Sequence, residues 1–108
     1  MPKRLERINE LIQREIGKII FHELEFSEGV LVTVTKVETS GDFEKTKIWI
    51  SIFPEKVSEK IFQVINRKKG YFQKLLSEKL LIYRVPKIEF ILDRTEVEAQ
   101  KIEEIFKK

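Results

Sequence analysis

The stretch IFQVINRKKGYFQKLLSEKLL, residues 61–81, decides the fold class. Ile61, Phe62, Val64 and Ile65, with Val57 before them, mark the apolar face of a helix; Pro54 suits its first turn. Arg67, Lys68, Lys69 and Gly70 interrupt that face, and Phe72, Leu75, Leu76, Leu80 and Leu81 then take up the same spacing again. The spacing predicts a helix to about Lys69, a kink at Gly70 and a second helix. A C-cap glycine at Gly70 would be the same physical event. Val85-Pro86 ends the second helix, because the residue before a proline is pushed out of helical geometry, and residues 88–92 read as a short strand.

Working outward, Leu5, Ile8, Leu11, Ile12, Ile16, Ile19 and Ile20 recur at three- and four-residue spacing, which predicts an amphipathic helix over residues 3–23. Ser27, Glu28 and Gly29 break it, and the β-branched run 30–37 reads as a strand. The turn cluster Thr39-Ser40-Gly41-Asp42 leads to a second strand in which Ile48, Ile50 and Ile52 alternate with Lys47, Trp49 and Ser51. At the far end, Asp93 or Thr95 can cap a final helix, Thr95 and Glu98 standing at capping-box spacing. The order is α-β-β-α-(kink at Gly70)-α-β plus a C-terminal helix. It predicts an α+β fold, one domain over residues 1–108, with helices on one face of a three-stranded sheet.

Composition removes several function classes. The 108 residues are 42% hydrophobic and 36% charged, the balance of a folded chain with a heavily charged surface. Without cysteine there is neither a disulfide framework nor a thiolate metal site, and no apolar run approaches the ~20 residues of a membrane span. A cytoplasmic protein is the expectation. His22 is the sole histidine and lacks a nucleophile beside it, and there is no phosphate-binding loop, dinucleotide fingerprint or zinc spacing. We therefore expect no catalytic residues, no metal, no cofactor and no small-molecule substrate.

Net charge is only +3, but it is unevenly placed. Arg67, Lys68, Lys69, Lys74, Lys79 and Arg84 face the single acid Glu78, so residues 67–84 carry +5 and the remainder −2. Such asymmetry suits a surface that meets phosphates. Cations at a helix break can fan out toward a backbone, and the amides of the next helix can receive a phosphate. Arg67, Lys68 and Lys69 are equally read as a solvated helix end favoured by the dipole. Arg4, Arg7 and Arg14 share a broad face of the first helix and extend the basic surface, unless Glu6, Glu10 and Glu15 pair with them. Phe72 reads as core; Trp49 belongs either to the open sheet face or to the core, and packing under a helix or over a sheet edge is favoured over stacking a base.

Four blocks give the chain a resemblance: Arg4-x-x-Arg7-Ile8 with Ile12-x-x-Glu15-Ile16; Val32-Thr33-Val34-Thr35-x-Val37 with Ser40-x-Asp42-Phe43; Thr46-Lys47-Ile48-Trp49-Ile50-Ser51; and Gly70 with Val85-Pro86-x-Ile88-x-Phe90-x-x-Asp93. In order and spacing they resemble the ribosome-binding factor A family, and the element order resembles a type II K-homology (KH-like) domain. The resemblance implies a monomeric, non-enzymatic assembly factor. It would bind the free or immature small (30S) ribosomal subunit and its 16S rRNA, assist late maturation and 5′-end processing, and support growth in the cold. It implies rRNA contact through Arg67, Lys68, Lys69, Gly70, Lys74 and Arg84, with Arg4, Arg7 and Arg14 alongside. Lys68 stands where the family carries alanine before the kink glycine, and Gln73 and Tyr83 stand where it often carries arginine; Arg84 is placed to substitute for the second. No Gly-x-x-Gly clamp exists among Gly17, Gly29, Gly41 and Gly70, so basic side chains must supply the contact. The rival readings are a generic single-strand-binding KH module and a protein-interaction domain that never touches RNA.

Overall fold

The structure, a computed structural model, describes residues 2–26, 28–82 and 84–95. Helix α1 spans Pro2–Glu23, strands β1 and β2 span Leu31–Thr39 and Lys45–Phe53, helices α2 and α3 span Ser58–Arg67 and Lys69–Lys79, and β3 spans Lys87–Leu92. The sheet order is β1-β2-β3, with β2 antiparallel to β1 and parallel to β3. This is the expected α+β arrangement. The predicted final helix lies almost wholly outside the described residues. Its approach is visible where the Asp93 carboxylate accepts the Thr95 N–H at 2.9 Å.

Strand β2 supplies the inward row Thr46, Ile48, Ile50 and Ile52, and β3 adds Ile88 and Phe90. Against them lie Ile8, Ile12, Ile16, Ile19 and Ile20 of α1, Ile65 of α2, and Phe72 and Leu76 of α3. The Phe72 ring meets Phe90 edge-on, centroids 6.2 Å apart, so Phe72 is core as expected. Burying each such side chain is worth about 1.5–3 kcal/mol, and the helices all gather where that apolar row is.

Strand β1 could not follow its neighbour without a correction of register. Pairing runs Val34↔Ile50 and then Lys36↔Trp49, leaving Thr35 as the extra residue of a β-bulge. The bulge moves the inward positions from Val32 and Val34 to Val37 and Thr39. At the inner end, the Thr39 hydroxyl donates to Asn9 Oδ1 of α1 at 2.6 Å and lies 2.8 Å from the Thr46 hydroxyl. Having spent its one hydrogen on Asn9, Thr39 must accept from Thr46. The displaced Thr35 instead donates to Asp93 Oδ2 at 2.6 Å, tying β1 to the segment after β3.

The helix-break-helix is present, and its position is sharper than expected. The non-helical residue is Lys68, at φ −94° and ψ 10°, and Gly70 stands in the first turn of α3. Lys68 donates its N–H to Ile65 O at 3.1 Å, closing α2 with a tight turn, and its own carbonyl accepts the Phe72 N–H at 2.9 Å to begin α3. That geometry is open to any residue, so the break does not require glycine. The side that Trp49 takes, which the sequence left open, is also decided. Trp49 is half-buried on the outer face of the sheet, with Lys36 Nζ 4.8 Å from its ring, and no helix covers it among the described residues. Ile48 and Ile50 have taken the inward parity, which leaves Trp49 the other side.

Gln73 answers one departure from the family pattern. Its Nε2 donates to Pro86 O at 2.9 Å and its Oε1 accepts the Ile88 N–H at 2.8 Å. Strand β3 is an edge strand, and this amide satisfies backbone groups that β2 does not reach. An arginine, with donors only, could take the carbonyl but not the N–H.

Three outcomes follow from this packing. Gly70→Ala should keep or raise stability by about 0.5–1 kcal/mol, read as an upward Tm shift, since a Cβ there meets nothing within 4 Å. Gln73→Ala should cost about 1–3 kcal/mol in denaturant unfolding by stranding two half-buried backbone groups. The Thr35 hydroxyl, followed by the Thr95 hydroxyl and amide, holds the Asp93 carboxyl below the usual carboxylate range. A depressed folded pKa means that this contribution is present above the unfolded value and disappears as pH falls through the folded one. Thr35→Val should therefore move the Asp93 midpoint upward in an NMR titration.

Candidate nucleic-acid interface

Arg67, Lys68, Lys69, Gly70 and Lys74 are all exposed around the α2–α3 break. Lysine side chains there have no carboxylate partner among the described residues, and Arg67 reaches only its own helix, its Nε donating to Gln63 O at 3.4 Å. No side chain caps the start of α3, and its first turn holds no acid. The opposite ends of two helices meet within one residue, so the positive charge of the break comes chiefly from its three consecutive cations. The break is held against α1 by Tyr71, whose hydroxyl donates to Glu23 Oε2 at 3.2 Å. That hydrogen bond, with the carboxylate's charge, raises the Tyr71 phenol above its ordinary value.

The other candidates do not gather here. Arg4 and Arg7, near the start of α1, meet Arg84 from the segment before β3, and the three rim a groove whose remaining walls are Ile8, Leu11, Phe43 and Ile82. Nearly the whole of α1, on the order of 30 Å at 1.5 Å per residue, separates Arg4 from the Tyr71–Glu23 contact. Arg14 joins neither group: its Nε lies 3.5 Å from Glu15, which Lys18 also approaches at 3.8 Å. The residue-level reading that glutamates on α1 pair with its arginines holds for Arg14 and not for Arg4 or Arg7 among the described residues. A basic surface expected to be continuous is thus divided into a kink cluster and an arginine-rimmed groove.

Sequence reasoning passed over Phe43 and Ile82 as site residues. One signal was available for Phe43: a large aromatic directly after Gly41-Asp42, in a turn where polar residues are the rule. His22 is exposed at the end of α1, its ring edge-on to Phe21. Among the described residues no group of three metal-ligating side chains occurs, and no helix is long and apolar enough to cross a membrane.

Comparison with known proteins places this geometry. The family model for ribosome-binding factor A matches residues 4–106. A ribosome-binding factor A from Halothermothrix orenii is 31% identical over 107 residues, covering 98% of this chain and 88% of that protein. One from Thermodesulfovibrio yellowstonii is 28% identical over 106 residues, covering 98% and 90%. In structure, the crystal structure of ribosome-binding factor A from Thermus thermophilus is similar with a TM-score of 0.70 at 22% identity, covering 82% of this chain and 93% of that one. A Thermus thermophilus homology model fitted into a cryo-EM map of a 30S–RbfA complex gives 0.67 at 23% identity, covering 78% and 89%. With the match spanning nearly its whole length, this chain belongs to the ribosome-binding factor A family.

Proposed function

We propose that this protein binds the free or immature small ribosomal subunit through its 16S rRNA, acting in the cytoplasm as a monomeric, single-domain assembly factor without catalysing a reaction. The observation that carries the reading is the kink cluster. Arg67, Lys68, Lys69 and Lys74 stand exposed beside an uncapped helix start, in a chain whose family is named for ribosome binding. The Thermus thermophilus relative fitted into a 30S complex supports the choice of subunit.

Mechanistically, the lysines and Arg67 neutralise phosphates and release counterions, while the rigid helix-sheet body selects the RNA shape that fits. Binding one rRNA conformation in preference to others shifts its population without chemistry. The same reading extends to late maturation, 5′-end processing of 16S rRNA, and growth in the cold, where misfolded rRNA rearranges slowly. Gly70 enters as a place of close approach. Since the backbone does not need glycine there, its missing side chain serves the phosphates that reach the start of α3.

The test is co-sedimentation with small subunits, large subunits and whole ribosomes, followed by salt titration of rRNA binding. Preference for small subunits is expected. Replacing Arg67, Lys68 and Lys69 by Ala should lower the salt slope by about one per lost phosphate contact. An unchanged slope sinks the assignment to the kink, and retention by another protein with weak salt dependence returns the chain to a protein-interaction domain.

A further inference from the structure

The groove at the other end of α1 has a composition that phosphate binding alone does not explain. Arg4 and Arg7 project from α1, Arg84 from the segment before β3, and among the described residues no carboxylate lines the space between them. Beneath the guanidinium groups the walls are apolar: Ile8 and Leu11 of α1, Phe43 of the β1–β2 turn, and Ile82. Its volume is about 470 Å³, within the range of small-ligand sites. Arg4 already lies 5.6 Å from the Phe43 ring centroid, so guanidinium and aromatic surface meet at the mouth.

Phe43 is held there against its own backbone preference. It is the one non-glycine residue with positive φ among the described residues, at 60°, a conformation that costs a side-chain-bearing residue about 1–2 kcal/mol. The turn that imposes it is closely bonded. Phe43 N–H donates to Ser40 O at 2.9 Å, while Asp42 Oδ1 accepts from the Ser40 hydroxyl at 2.6 Å and from the Glu44 N–H at 3.0 Å. The aromatic is thereby presented toward α1 and the apolar wall, where glycine or asparagine would have relieved the backbone.

A ligand for this groove must carry an apolar surface and anionic charge together. Inorganic phosphate leaves the apolar walls unused. Duplex RNA offers phosphates, but its bases are stacked on one another, and its narrow major groove hides their edges. An unpaired nucleotide satisfies both requirements, since its base has apolar faces and phosphates lie on either side. We infer that the Arg4–Arg7–Arg84 groove is a subsite for a single unpaired nucleotide of RNA. The base is seated against Phe43, Ile8, Leu11 and Ile82, and the three arginines hold the flanking phosphates. This rests on the rRNA-binding reading and specifies it: the kink cluster binds backbone, and the groove senses whether a nucleotide is free of a helix.

Binding of the full chain to a short unpaired RNA, to the same RNA annealed to its complement, and to intact small-subunit rRNA separates the two readings. The variant Arg4→Gln/Arg7→Gln/Arg84→Gln changes only exposed side chains, and Phe43→Leu keeps an apolar group; thermal melting verifies that both fold. Each variant should lose about tenfold in affinity for the unpaired RNA while duplex binding changes much less. An abasic site that weakens the wild type, and has no further effect in Phe43→Leu, would place the base on that ring. If the wild type binds rRNA but both variants bind unpaired RNA unchanged, the subsite is wrong and the proposed function stands; if the wild type binds no RNA, both fall. Equal losses for unpaired and duplex RNA reduce the groove to a phosphate contact and overturn the inference. Competition by an acidic peptide as effective as unpaired RNA at equal ionic strength also overturns it.

Discussion

Strand β2 pairs with both other strands, and its inward row of Thr46, Ile48, Ile50 and Ile52 is the floor on which the helices rest. Because side chains alternate along a strand, committing the even-numbered residues to the interior sends Lys47, Trp49, Ser51 and Phe53 to the other face. The bulge at Thr35 exists so that β1 can present Val37 and Thr39 to the same interior. The Asn9–Thr39–Thr46 hydrogen bonds then settle how α1 sits on the sheet. These polar groups are all partnered, and among the described residues no buried side-chain donor or acceptor lacks one.

With the apolar groups so consumed, the cations are left outside, but in places that the core chooses. Phe72 and Leu76 anchor α3 and Ile65 anchors α2. The break between them therefore projects from the body with Arg67, Lys68 and Lys69 around it. On the far side, the burial of Ile8 and Ile12 turns Arg4 and Arg7 toward the β1–β2 turn, where Phe43 and Arg84 complete the groove. Two groups of exposed cations thus stand near opposite ends of α1. One is a cluster of cations alone, and the other offers apolar surface as well.

Departures from the family pattern also acquire a physical account. Gln73 has exchanged a cation for an amide that donates and accepts, and it secures the edge strand that carries Ile88 and Phe90. Lys68 is accommodated because the break uses a backbone conformation available to any residue. Its side chain adds charge at the place where the proposed RNA contact lies.

By itself the sequence determined the element order, the inward faces of α1, β2 and α3, and the concentration of positive charge in residues 67–84. These are local properties: periodicity, turn chemistry and charge are written in neighbouring residues. Gly70 was legible as a punctuation mark but not as a residue inside α3, since a break at Lys68 depends on where Ile65 and Phe72 are anchored in the core. Only the tertiary structure decided that Arg14 is paired with Glu15 while Arg4 and Arg7 join Arg84, and that Trp49 faces outward. It also brought Phe43 into a groove with Ile82, residues 39 positions apart in the chain. No spacing rule relates such residues, because their meeting is set by how the helices and the β1–β2 turn pack on a shared core.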